Sequence, residues 1–104
     1  MGPSGLVLGG LLADYGIKVG LFERKESTGT EPRAVSIDDE SLRILQSFLS
    51  HHAILKDVSQ NYGSHYYDAK GKLFLKVEPN SCENGFFKRN AFDQPTFEKT
   101  LRKH

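Results

Sequence analysis

Gly2-Pro3-Ser4-Gly5 limits more than any other stretch what this chain can become. Two glycines three positions apart open an apolar run with helical spacing. That run is followed by Gly16-Ile17-Lys18-Val19-Gly20-Leu21-Phe22-Glu23. The order is turn, helix, short apolar strand, then acid, and the acid lies about 20 positions beyond Gly2, as in a dinucleotide-binding G-x-G-x-x-G unit. Gly2 and Gly5 stand where the second and third glycines of that unit belong. Its first glycine and the strand before it are missing, so the expectation is a unit that lacks strand 1.

The chemistry behind this spacing is simple. A glycine at position 2 lets backbone approach a diphosphate, and one at position 5 lets the helix start lie close to a strand. The free N–H groups of the first turn, with the helix dipole behind them, attract phosphate. A plain Gly-Pro-Ser-Gly turn has the same local sequence. Glu23, at the carboxyl end of an apolar strand, can accept hydrogen bonds from the two hydroxyls of a ribose, and would repel a 2′-phosphate. It can equally be a solvated acid beside Arg24 and Lys25. Arg33, just before a second helix, can pair with a diphosphate or with Glu31.

Composition removes other classes of function. Fourteen basic and 13 acidic residues leave a formal charge of +1 in 104 residues, which gives no electrostatic case for nucleic acid or an anionic membrane. Lys88-Arg89 followed by Phe92 is too little to change that. The lone Cys82 has no internal disulfide partner and no evident activating neighbour, which fits a reducing, cytoplasmic setting. His51, His52 and His65 show no ligand spacing with Cys82, so no metal site is expected. The acids Asp38-Asp39-Glu40 diverge around a helix and serve its start rather than a cation. No apolar run reaches membrane-spanning length, and no basic, apolar leader opens the sequence.

Along the chain, a helix is expected over 4–15 with Leu8, Leu11, Leu12 and Tyr15 on its buried face, capped by Gly16. Gly9 and Gly10 suggest a close neighbour such as a sheet. Residues 17–22 read as a strand of a parallel sheet covered on both faces. A polar loop occupies 24–32. Ser36-Ile37-Asp38-Asp39 reads as a capping box, with a helix continuing to about Ser50 and burying Leu42, Leu45, Phe48 and Leu49. A helical turn is expected over 53–58 and a β-hairpin over 66–77, turning at Asp68-Ala69-Lys70-Gly71. Residues 79–85 form a loop. A last helix opens at Gln94-Pro95-Thr96, with Phe97 and Leu101 on one face.

Taken together, Gly2-Pro3-Ser4-Gly5-Leu6, Glu23-Arg24, Pro32-Arg33-Ala34, Asp38-Asp39-Glu40-Ser41-Leu42-Arg43, Tyr67-Asp68-Ala69-Lys70-Gly71 and Asn90-Ala91-Phe92-Asp93-Gln94-Pro95 resemble the FAD-dependent aromatic hydroxylases. These are the flavoprotein monooxygenases typified by para-hydroxybenzoate hydroxylase, and the nearest branch is the one acting on 3-(3-hydroxyphenyl)propionate. The resemblance covers nearly the whole chain, in the family's own order.

It implies an α/β fold: a truncated, Rossmann-like FAD-binding domain over 1–104, with the start of a β-rich substrate region at about 62–88. It implies FAD as cofactor, NAD(P)H as co-substrate and a small phenolic or aromatic substrate hydroxylated with O₂. The cofactor-binding residues it implies are Gly2, Pro3, Ser4 and Gly5 at the diphosphate turn, Glu23 with Arg24 at the ribose, Arg33 along the FAD, and Gln94 toward the flavin. The family's later motifs and most of its substrate region would lie beyond His104. The chain alone is therefore expected to fold poorly and to lack turnover, as an N-terminal fragment. Two other readings stay open: a non-catalytic interaction remnant of the fold, and a nucleotide site that takes NAD.

Overall fold

A computed structural model describes residues 1–26 and 30–103. Helix α1, Pro3–Asp14, begins where the sequence places it. Its end is set by Gly16, whose φ of +73° is left-handed. The Gly16 N–H reaches the Ala13 carbonyl and the Ile17 N–H the Leu12 carbonyl, which closes the helix with a Schellman motif. The buried face differs from expectation. Leu6 and Gly9 face inward, whereas Leu8 and Tyr15 are exposed. This helix is apolar almost all round, so its own periodicity selects no face and its neighbours do.

Those neighbours are side chains rather than a sheet. A Cβ at Gly9 would meet Leu21 at 3.0 Å, and one at Gly10 would meet the Phe48 ring at 2.7 Å. Residues 17–22 form no strand; they carry no ladder, and Ile17, Leu21 and Phe22 are exposed. A strand needs a partner for its N–H and C=O groups, and no described strand offers an edge there. The polar loop over 24–32 carries no helix or strand where it is described; its middle, residues 27–29, lies outside the described residues, as does His104.

The strands that do form pair antiparallel. Strands β1 (Ser36–Asp38), β2 (Val58–Ser59) and β5 (Arg89–Phe92) make one sheet in the order β1-β5-β2. Ser36 pairs with Ala91 and Asp38 with Arg89, while Val58 pairs with Phe92. None of these three strands follows from sequence periodicity, because two to four residues are too few to show one. Asn90, fully buried in β5, ties the sheet together. Its amide donates to the Ile37 and Phe87 carbonyls and accepts from the Asn61 N–H.

Ser36 is therefore a strand residue, and the capping box is corrected. The N-cap of α2 (Asp39–Leu45) is Asp38, which accepts the Ser41 N–H at 2.8 Å. The helix stops at Leu45 rather than near Ser50, and a turn carries Phe48 and Leu49 to α3, His51–Leu55, capped by Ser50. The final helix α4, Gln94–Leu101, is capped by Asp93 and has Pro95 in its first turn. Leu6, Leu42, Leu45, Leu49, Ile54, Phe86, Phe97 and Leu101 form one core, with Phe92 packed edge-on against Phe97. Four helices and the intervening loop thus meet in a single apolar cluster.

The hairpin stands apart as a two-stranded sheet, β3 (Ser64–Tyr67) with β4 (Leu73–Val77). Its turn is held by Asp68, which accepts the N–H groups of Lys70 and Lys72, while Gly71 adopts φ +76°. A bulge between Tyr66 and Tyr67 shifts the register so that Tyr67 faces Leu73.

Candidate functional site

The start of α1 faces a pocket of about 690 Å³, within the usual range for ligand sites. Gly2 is the N-cap, extended and with no side chain to cap the helix, and Pro3 has no N–H to give. The N–H groups of Ser4 and Gly5 belong to the first turn, where a helix supplies no acceptor. No acid stands in that turn to neutralise the positive end of the helix dipole.

Glu23 closes one side of the pocket. Its carboxylate meets the Met1 amino group and also accepts the Lys25 N–H at 2.8 Å. Arg33 and Gln94 also line the pocket and are joined to each other. The Gln94 side-chain oxygen accepts two backbone N–H groups, of Arg33 and of Ala34, each at 2.9 Å. Its nitrogen donates to Glu98 Oε1 at 2.7 Å. Gln94 and Glu98 are buried, whereas Arg33 is exposed.

Five of the expected residues thus line one pocket: Gly2, Pro3, Glu23, Arg33 and Gln94. They come from α1, the segment after it, the segment before β1, and α4. Ser4, Gly5 and Arg24 are not among the lining residues. Gly5 lies under the Met1 side chain, where a Cβ would approach Met1 Cγ to 2.9 Å. Lys25, Thr30, Glu31, Pro95 and Glu98 also line the pocket and were missed. Only Glu98 carried a readable signal. It lies four residues after Gln94, the spacing at which helical side chains meet.

The donor set suits an anionic nucleotide. The positive end of the α1 dipole at Gly2 and Pro3 and the Arg33 guanidinium match a diphosphate. The Glu23 carboxylate in the same pocket matches a diol, whose hydroxyls donate. A second cleft at the base of the hairpin carries His65 and Glu78, 3.5 Å apart on the surface. The Lys76 ammonium hydrogen-bonded to Glu78 holds that carboxyl below its ordinary value. Among the described residues no group of His, Cys, Asp or Glu is arranged to hold a metal ion. No described helix is long and apolar enough to cross a membrane.

The family described as FAD binding domain matches the chain over residues 1–104. This chain belongs to that family. Its cofactor is FAD. Among curated relatives, the chain is 39% identical over 101 residues to 3-(3-hydroxy-phenyl)propionate/3-hydroxycinnamic acid hydroxylase 2 of Burkholderia vietnamiensis. That alignment covers 97% of the chain and 18% of the relative. The hydroxylases of the same name from Comamonas testosteroni and Mycolicibacterium smegmatis are 36% and 37% identical over 100 residues each. Those alignments cover 96% of the chain, and 17% and 18% of the relatives. The chain spans less than a fifth of the length of the curated relatives it matches.

Proposed function

We propose that this chain is the FAD-binding beginning of a flavin-dependent, NAD(P)H-using monooxygenase that hydroxylates a phenolic substrate, and that it does not turn over by itself. The observation that carries the reading is the convergence of the uncapped α1 start, Glu23 and Arg33 on one pocket. The diphosphate lies by the positive end of the α1 dipole, at Gly2 and Pro3, and against Arg33. Glu23 accepts the hydroxyls of the adenosine ribose, for which it must part from the Met1 amino group. Gln94 holds the Arg33 turn in place.

When bound, FAD supplies the redox and oxygen chemistry; this chain's residues bind and orient its nucleotide end. The hydroxylase names of the relatives support a phenolic substrate. The hairpin within 62–88 is the start of the substrate-side β region in this proposal. In this proposal residues 17–22, apolar and unpaired here, take the place of a strand in a Rossmann-like sheet when a partner strand is supplied.

The test is a titration with FAD of a longer protein that carries this chain, read by flavin fluorescence, beside an assay of NADPH and NADH oxidation with a phenol for that protein and for the chain alone. Saturable binding of FAD by the longer protein, with no turnover by the chain alone, is the expected result. Tighter binding of NAD than of FAD, or binding of neither, overturns it.

A further inference from the structure

Glu98 is only 4% exposed, and among the described residues no lysine or arginine forms an ion pair with it. Its Oε1 takes one hydrogen bond, from the Gln94 side-chain nitrogen. A primary amide has a donor end and an acceptor end, so fixing one fixes the other. With its nitrogen on Glu98, Gln94 must present oxygen to the Arg33 and Ala34 N–H groups. Reversed, the amide would set two donors against two donors and an oxygen against a carboxylate.

We infer that Glu98 is a positioning residue: it locks the Gln94 amide in one orientation, and that orientation pins the Arg33–Ala34 turn to the wall of the pocket. Through this clamp it sets where the Arg33 guanidinium meets the ligand. The identity of the ligand rests on the function proposed above; the clamp does not.

The test uses the full chain and four variants: Glu98→Ala, Glu98→Gln, Gln94→Glu, and the double exchange of Gln94→Glu with Glu98→Gln. Amide exchange at Arg33 and Ala34 is read beside the affinity for FAD, with the Leu101 amide as a control for the helix itself. Glu98→Ala should speed exchange at both amides about tenfold and weaken FAD about as much, the loss of one charge-assisted hydrogen bond. Glu98→Gln still offers an oxygen to Gln94 and should stay within about twofold of the parent on both readouts. Gln94→Glu faces two carboxylates and should lose about tenfold. The double exchange restores donor to acceptor and should recover to within about threefold.

The inference is overturned if the parent shows no protection at Arg33 and Ala34. It also falls if Glu98→Ala leaves that protection intact, if Glu98→Gln is as damaging as Glu98→Ala, or if the double exchange does no better than Gln94→Glu. FAD affinity indifferent to a responding clamp overturns the positioning role. Amides that respond in a parent with no affinity for FAD support the clamp and remove the FAD reading alone.

Discussion

Asp38 and Asp93 each stand one residue before a helix and accept an N–H from its first turn, of Ser41 and Thr96. The side-chain hydrogen bond with Ser41, and likewise that with Thr96, holds each carboxyl below its ordinary value of 3.8. A carboxylate with a lowered folded pKa contributes stability above its unfolded value and loses it as pH falls through the folded one. Stability should therefore be flat from neutrality to about pH 4 and decline below it. Asp38→Asn caps nearly as well without titrating and should flatten the decline, which denaturant unfolding at a series of pH values checks. Glu23 bears on the ligand instead. Glu23→Gln keeps the shape but loses the charge-assisted acceptor, so affinity for FAD should fall about ten- to hundredfold while the helical circular dichroism is unchanged.

At the level of elements, close approaches decide more than propensity does. Gly63 precedes β3, and a Cβ there would sit 2.8 Å from the Val77 carbonyl oxygen, a backbone atom that cannot turn aside. Gly63→Ala should therefore open the base of the hairpin at a cost of about 1–3 kcal/mol. Faster amide exchange in β3 and β4, with α2 and α4 unaffected, is the expected signature. The hairpin was legible because Asp68 and Gly71 carry turn chemistry and the apolar run after them is long enough to show. The three-stranded sheet was not, because its strands are short and drawn from distant parts of the chain. Gln94-Pro95-Thr96 announced α4 locally, whereas the end of α2 at Leu45 had no glycine or proline to mark it.

The molecule as a whole is open for its size. Its radius of gyration is 16.0 Å, where a compact chain of this length has about 13 Å. It exposes 7381 Å², whereas a compact monomer of its mass exposes about 5,900 Å². The excess is about twice what one partner contributes to a standard interface. Much of it is apolar: Ile17, Leu21 and Phe22 after α1, and Tyr67, Leu73 and Phe74 on the hairpin. Such faces lose stability to water and attract other chains. The isolated chain should melt over a broad range and bind a hydrophobic dye. The same residues within a longer protein of this family should melt sharply and not bind it. A sharp, dye-free transition of the chain alone would contradict this account of its surface.

What the sequence determined by itself was local or additive. The α1 turn with its glycines, the Gly16 stop, the hairpin turn, the Gln94-Pro95-Thr96 start and the absence of a charge bias each depend on a few adjacent residues or on a sum over all of them. Tertiary structure alone decided which face of an all-apolar helix was buried, that residues 17–22 went unpaired, and that Gln94 closed on Arg33 and Glu98. The reason is physical. Those outcomes depend on which neighbour supplies a hydrogen-bond partner or an apolar surface, and only the folded chain brings residues some sixty positions apart, such as Arg33 and Gln94, within reach of each other.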